Sequence, residues 1–269
     1  MYQNIFFDVK KQKFHLWDDK KGYLVVPYNK YAYVKHSNGQ HVSLYGDRLK
    51  RVTTWDKEDP TLHESDIPPM TRFLVDQYTD SDDVSTGHRV MFFDIEVEVT
   101  EGFPDIEKAQ NPITSIALYD SMTEKYFTYC FDPKERLKNY SKDDQIVEFY
   151  STEYEMLNKF YQKYLEIRPT IISGWNSDFF DIPYLYNRAI RVLGANVANL
   201  LSPISEINYS DFTKKHRIAG VSSLDYLLLY KNFTFTQQSS YRLDYIGQQE
   251  VGMKKVEYDG TLDDLYDTD

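Results

Sequence analysis

Through roughly the first 80 residues, short runs of alternating apolar and polar positions are separated by turn residues, and a period of two belongs to strands. The runs are YLVVPY at 23–28, YAYVKHSNGQHVSLYG at 31–46 and RVTTW at 51–55. Asn38-Gly39 is a strong turn signal inside the second run and predicts a hairpin between its two halves. A small β-rich or α+β domain over 1–85 follows, and the polar stretch 80–87 reads as a linker. From Arg89 the pattern changes. RVMFFDIEVEV at 89–99 has the content of a buried strand, with ITSIALYD at 113–120 and KYFTYCF at 125–131 as hairpin partners. At 152–166 the period becomes helical, with Met156, Leu157, Phe160, Tyr161 and Tyr164 on one stripe. A short strand at Thr170-Ile171-Ile172, a loop and a helix over ~182–193 come next. Pro183 falls in that helix's first turn, where its missing N–H costs nothing. Two further helices are expected at 224–232 and 241–250. This order predicts an α/β domain with a mixed sheet over 88–269, and α+β architecture overall.

Composition narrows the function classes. A chain of 269 residues with 41% hydrophobic and 27% charged residues can bury real cores. No stretch approaches ~18 consecutive apolar residues, and the start lacks a signal-peptide layout, so a cytoplasmic protein without a membrane partner is expected. Cys130 is the single cysteine, which agrees with a reducing compartment. A net charge of −11 argues against a protein that coats nucleic acid, but not against an enzyme that holds metal ions with carboxylates. The basic clusters Arg48, Lys50, Arg51, then Lys214, Lys215, Arg217, then Lys254, Lys255 read first as solvated faces.

Carboxylates carry the candidate chemistry. Asp94 and Glu96 share one face of the apolar strand, while Phe93, Ile95 and Val97 share the other. Two carboxylates side by side repel each other and lose hydration, so they belong at an open sheet end or around a cation. A solvated strand face, with Glu98 in phase, is the competing reading. Asp181 stands just before a helix at a strand's end, where it either caps that helix or brings a third oxygen to the pair. The six histidines form no ligand-spaced group, so hard oxygen donors point to Mg²⁺ or Mn²⁺. Phosphodiester hydrolysis with two ions ~4 Å apart uses such a cluster.

Phe93-Asp94-Ile95-Glu96 resembles the first exonuclease motif of family B DNA polymerases. Gly174-Trp175-Asn176 continuing to Phe180-Asp181-Ile182-Pro183-Tyr184 resembles the second. Upstream, His63-Glu64-Ser65-Asp66-Ile67-Pro68-Pro69 with Arg72-Phe73-Leu74-Val75-Asp76 is similar to the segment preceding the first motif. Val221–Tyr226, Ser240–Asp244 and Tyr258-Asp259-Gly260 also sit where the family has like stretches, with the nearest likeness to the T4-like phage branch. The resemblance spans roughly 60–269 and implies a ribonuclease H-like exonuclease domain behind an N-terminal polymerase domain. It implies that Asp94, Glu96 and Asp181 bind the metal ions and carry catalysis. It places Asn176, Phe103 and Lys255 against DNA, with a turn-stabilising amide, a loop-packing aromatic and a solvated lysine as the alternatives. Implied partners are a single-stranded DNA 3′ end or primer-template, the palm, fingers and thumb of the polymerase and, through them, a replisome clamp.

The family's third exonuclease motif, Tyr-x-x-x-Asp, does not occur after the second: Tyr241 leads to Tyr245, Tyr245 to Gln249, and Tyr258 to Leu262. The expectation is therefore an N-terminal portion or split subunit of a replicative phage polymerase in a bacterial host, with weak or no activity alone. A non-catalytic module that binds single strands or scaffolds the polymerase is the alternative; a free-standing nuclease has no use for the Glu64–Asp76 segment.

Overall fold

A computed structural model describes residues 1–56, 58–99 and 102–256. The chain divides into two compact units, Met1–Gly87 and His88–Asp269.

The first unit contains strands β1 (Tyr2–Asp8), β2 (Lys13–Asp18), β3 (Gly22–Pro27), β4 (Ala32–Lys35), β5 (His41–Val42), β6 (Arg48–Val52) and β7 (Leu62–His63), then helix α1 (Pro69–Tyr78). Strands β1-β2-β3 form one antiparallel sheet and β5-β6-β4-β7 another. Ile5, Phe14, Leu16 and Phe73 make the core, so α1 is held by its Phe73, whose ring packs tilted against Phe14 with centroids 4.5 Å apart. Arg72 is clipped to Glu64, donating to its carboxylate at 2.6 Å and its carbonyl at 2.7 Å. The hairpin expected at Asn38-Gly39 does not form. β4 pairs with β6, and the turn that closes a hairpin is Ser43–Asp47, where Gly46 has φ +87°. Gly39 is required for a different reason: a Cβ there would lie 2.4 Å from the backbone of Leu49. The stretch 81–87 is without regular structure but tied down, with Thr86 N–H donating to Asp19 and its carbonyl accepting from Gln3.

The second unit holds β8 (Val90–Val97), β9 (Ile113–Asp120), β10 (Lys125–Phe131), β11 (Tyr140–Lys142), β12 (Gln145–Tyr150), α2 (Glu153–Ile167), β13 (Ile171–Ser173), α3 (Asp181–Leu193), α4 (Ala195–Ala198), β14 (Ile207–Ser210), β15 (Lys215–Ile218), β16 (Ser222–Ser223), α5 (Tyr226–Phe233) and α6 (Leu243–Val251). Its main sheet runs β11-β12-β10-β9-β8-β13-β16. The sheet is mixed: β8-β9-β10 is antiparallel, while β12, β13 and β16 join in parallel. Met91, Phe93, Ile95 and Val97 pack with Met156, Leu157, Phe160 and Tyr164 of α2 and with Ile182 and Leu185 of α3 in one core. On the opposite face, Phe92, Tyr119 and Tyr126 form a ladder of rings, with neighbouring centroids 6.3 Å and 4.7 Å apart.

Helix α2 begins where its chemistry dictates. Thr152 accepts from Glu155 N–H at 3.2 Å, and its hydroxyl donates to the Glu155 carboxylate at 2.9 Å, which holds the capping oxygen in place. Thr152→Ala is expected to cost about 1 kcal/mol and to lower the thermal midpoint by about 2–4 °C, measured by calorimetry. A Thr152→Ser variant retaining the hydroxyl should show much less.

Candidate active site

The site is built where β13 stops. β13 pairs with β8 only as far as Ser173 opposite Phe92, so beyond that point this side of β8 meets no strand among the described residues, while its other side stays paired with β9. A buried backbone donor needs an acceptor. Asp181, at the first position of α3, supplies it: its Oδ1 accepts from Ile95 N–H at 3.0 Å. The Asp181 side chain therefore does not cap its own helix, which has no side-chain cap. It is stitched to β8 between Asp94 and Glu96, and is 2% exposed.

Sheet alternation turns Asp94 and Glu96 away from the core. Asp94 is open to solvent by area yet ringed by protein, and Glu96 is half-buried. Burial, with the negative charge of Glu96, raises the Asp94 pKa, and Lys255 partly offsets this. Asp181 is pushed up to about 7, first by burial and then by the charge of Asp94, against the lowering effect of the Ile95 N–H. Where β9 faces Glu96 the register slips. Thr114 is left over and its hydroxyl donates to the Glu96 carbonyl at 3.2 Å, a bulge of the kind that re-aims a strand near a functional site.

A cleft of about 620 Å³ opens at this strand end. Asp94, Glu96, Asp181, Asn176, Phe103 and Lys255 all line it. Asn176 takes a left-handed conformation with φ +65°, tolerated best by Asn and Gly, and its N–H donates to Asp225 Oδ1 at 3.1 Å. Phe103 is 77% exposed and sits 5.3 Å from the Phe180 ring, so the pair forms an aromatic wall. Lys255 Nζ lies 3.9 Å from Glu96 Oε1, and its N–H is anchored on Asp244 Oδ1 at 2.7 Å.

The sequence reading assigned no role to Trp175, Phe180, Leu243, Asp244 and Lys254, which line the same cleft. Trp175 Nε1–H donates to the Tyr241 carbonyl at 3.1 Å, which ties the loop after β13 to the start of α6. Tyr258-Asp259-Gly260 lies outside the described residues. Among the described residues, no three His, Cys, Asp or Glu side chains converge into a ready-made ion cage. The donor chemistry nevertheless suits a hard divalent cation, since carboxylates line the cleft and neither imidazole nor thiol does.

The second unit is thus an α/β domain with a carboxylate-lined cleft at the end of a central strand. The family model for DNA polymerase family B, exonuclease domain, matches residues 73–246, and the chain belongs to that family. It is 34% identical over 209 residues to the DNA-directed DNA polymerase of Escherichia phage RB69, covering 67% of this chain and 23% of that one. The corresponding enzyme of Enterobacteria phage T4 is 31% identical over 201 residues, 64% of this chain and 22% of its own length. DNA polymerase 1 of Saccharolobus solfataricus is 26% identical over 210 residues, 74% and 20% respectively. The chain thus spans about a fifth to a quarter of the length of these relatives. No described helix is long and apolar enough to cross a membrane.

Proposed function

We propose that this chain carries most of the 3′→5′ proofreading exonuclease of a family B DNA polymerase acting in replication, with Asp94, Glu96 and Asp181 holding Mg²⁺ or Mn²⁺. The observation that supports this most is the crowding of carboxylates: Asp181 is held at about 7 by burial and by Asp94, a cost that a bound cation removes. When present, a pair of ions supplies an activated water and stabilises the leaving oxygen. The chain's own residues do the positioning. Asp181 is fixed by Ile95 N–H, and the Phe103–Phe180 wall offers a stacking surface for a frayed terminal base. Asn176 faces the same cleft, and Lys255 presents a cation to a phosphate beside Glu96. The basic charge is local in a chain of net charge −11, which suits a few phosphates at a strand end and not a coated duplex. Polymerisation, contact with palm, fingers and thumb, and any clamp contact reached through them belong to this proposal, as does a viral protein in bacterial cytoplasm.

The test is a single-stranded oligonucleotide labelled at its 5′ end, incubated with Mn²⁺ or Mg²⁺ and resolved by length. Residues 1–269 are assayed alone and with a polypeptide supplying Tyr-x-x-x-Asp. Shortening from the 3′ end that EDTA stops, and that a fully paired 3′ end slows, is the expected result. The open carboxylate arrangement favours a second reading, a non-catalytic module that binds single strands. Tight binding of the oligonucleotide with no shortening in either mixture would establish that module and overturn the exonuclease.

A further inference from the structure

One ion pair in the second unit, between a buried carboxylate and a half-buried lysine, has no place in the chemistry above. Asp178, three residues before Asp181, is 6% exposed and accepts from Lys215 Nζ at 2.5 Å. Lys215 opens β15 and belongs to the β14–β15 hairpin, whose register pairs Ser210 with Lys215. Its ammonium also sits 5.0 Å from the Phe179 ring. The other oxygen of Asp178 accepts the Ser223 hydroxyl from β16. Its backbone N–H donates to Asp225 Oδ2 at 3.1 Å. Asp225, itself 2% exposed, also takes Asn176 N–H at 3.1 Å and Leu227 N–H at 2.9 Å at the start of α5.

The segment from Asn176 to Asp181 is thus held from three directions: by β16, by the start of α5 and by the hairpin. Two of these ties come from the edge strand of the main sheet, at Ser223, and from the helix cap that follows it, at Asp225. The Lys215 tie is different, because it crosses to a two-stranded hairpin that forms no part of the main sheet. A carboxylate buried to this degree is costly unless paired, so the pair fixes where the backbone of the segment can sit. Phe180 and Asp181 follow directly, and they line the cleft.

We infer that Asp178 and Lys215 are positioning residues that make the β14–β15 hairpin a buttress for the corner carrying Phe180 and Asp181. A displacement of the hairpin is then transmitted through Lys215 to the cleft. Consequences for ion and DNA binding rest on the function proposed above; the buttress itself does not.

Five proteins decide it: the full chain, Lys215→Met, Lys215→Arg, Asp178→Asn and Lys214→Met. Lys214 is the control, an exposed neighbour 3.7 Å from Asp211 that does not touch Asp178. Amide hydrogen exchange is read first. Lys215→Met is expected to raise exchange of the 176–182 amides at least tenfold while leaving the β8–β10 amides unchanged; Lys215→Arg restores protection, and Lys214→Met has no effect. Mn²⁺ titration by calorimetry is read second. Removing a residue that orients a ligand typically weakens metal affinity by about 10–100-fold, and that loss is expected for Lys215→Met and for Asp178→Asn. Unchanged exchange at 176–182 in Lys215→Met would overturn the buttress. The expected exchange pattern with no Mn²⁺ binding in the unmodified chain would leave the buttress standing and count against the proposed function.

Discussion

In the absence of metal, Asp181→Asn is expected to make the chain more stable at pH 8 and to remove its response to Mn²⁺. The carboxyl of Asp181 is raised from 3.8 to about 7, chiefly by burial and then by Asp94. Between about pH 4 and pH 7 the folded chain keeps a proton that the unfolded chain has lost, so stability falls as pH rises through that window. Above pH 7 the whole penalty is present, and a shift of this size corresponds to on the order of 4 kcal/mol. The amide carries no charge, and its oxygen can still accept from Ile95 N–H, so the variant should recover ~2 kcal/mol of that penalty at pH 8. At pH 5 most of the wild-type group is protonated and the two proteins should be nearly equal. Mn²⁺ reverses the order. An ion at 100 times its Kd stabilises the folded wild type by about 2.7 kcal/mol, while the variant has lost a charged donor and gains little. Urea unfolding at pH 5 and pH 8, in EDTA and in Mn²⁺, reads all of these differences. If the variant is the less stable protein at pH 8 in EDTA, the carboxylate is not a strained ligand, and the cleft's claim on a cation loses its main support.

The strands and helices of the second unit were legible wherever one face of an element is buried. ITSIALYD and KYFTYCF occupy the predicted strands residue for residue, and the five apolar positions named on α2 are all buried. β11 and β12 went unseen because β12 lies next to the sheet's edge, half-buried along most of its length, which gives no period of two to read. α1 was hidden by Pro68-Pro69, which suggests a break, and by Arg72, a charged residue that occupies one of its buried positions. The face shared by Asp94 and Glu96 followed from strand phase alone. The Asp181–Ile95 contact did not, since it spans 86 positions and depends on where β13 stops. Lys255 comes near Glu96 because the chain turns at Gly252, with φ +70°, and Asp244 catches its N–H. Asn38-Gly39 misled because a glycine required for close approach has the same letter as one required for a turn.

Gly174 shows the same distinction at the site, and Gly174→Ala is expected to be the most damaging small substitution in the second unit. A Cβ at this position would lie 2.6 Å from the Phe93 carbonyl oxygen and 2.9 Å from Ser177 Cβ. Neither neighbour can retreat. The Phe93 carbonyl belongs to the central strand, and Ser177 is fully buried, its hydroxyl 3.4 Å from the Gly174 carbonyl. That carbonyl also accepts Tyr226 N–H at 2.8 Å, so the glycine is held on both sides. The methyl group must therefore drive the loop away from β8, at a cost at or above the upper end of the range for overpacking, about 3 kcal/mol. For a unit of this size the thermal midpoint should fall by about 6–12 °C. Function should suffer beyond stability, because the displaced loop carries Asp181 off Ile95 N–H and moves Trp175 and Asn176 with it. Mn²⁺ affinity is expected to fall even at temperatures where circular dichroism shows the variant folded. Gly194→Ala is the comparison. Gly194 has φ +87° with ψ 158° and open space around its Cβ position, so its substitution costs only backbone strain, on the order of 1–3 kcal/mol, and should leave Mn²⁺ binding untouched. Equal losses of Mn²⁺ affinity in the two variants, or unchanged Mn²⁺ affinity in Gly174→Ala, would mean that close packing of this loop on β8 is not what sets the cleft.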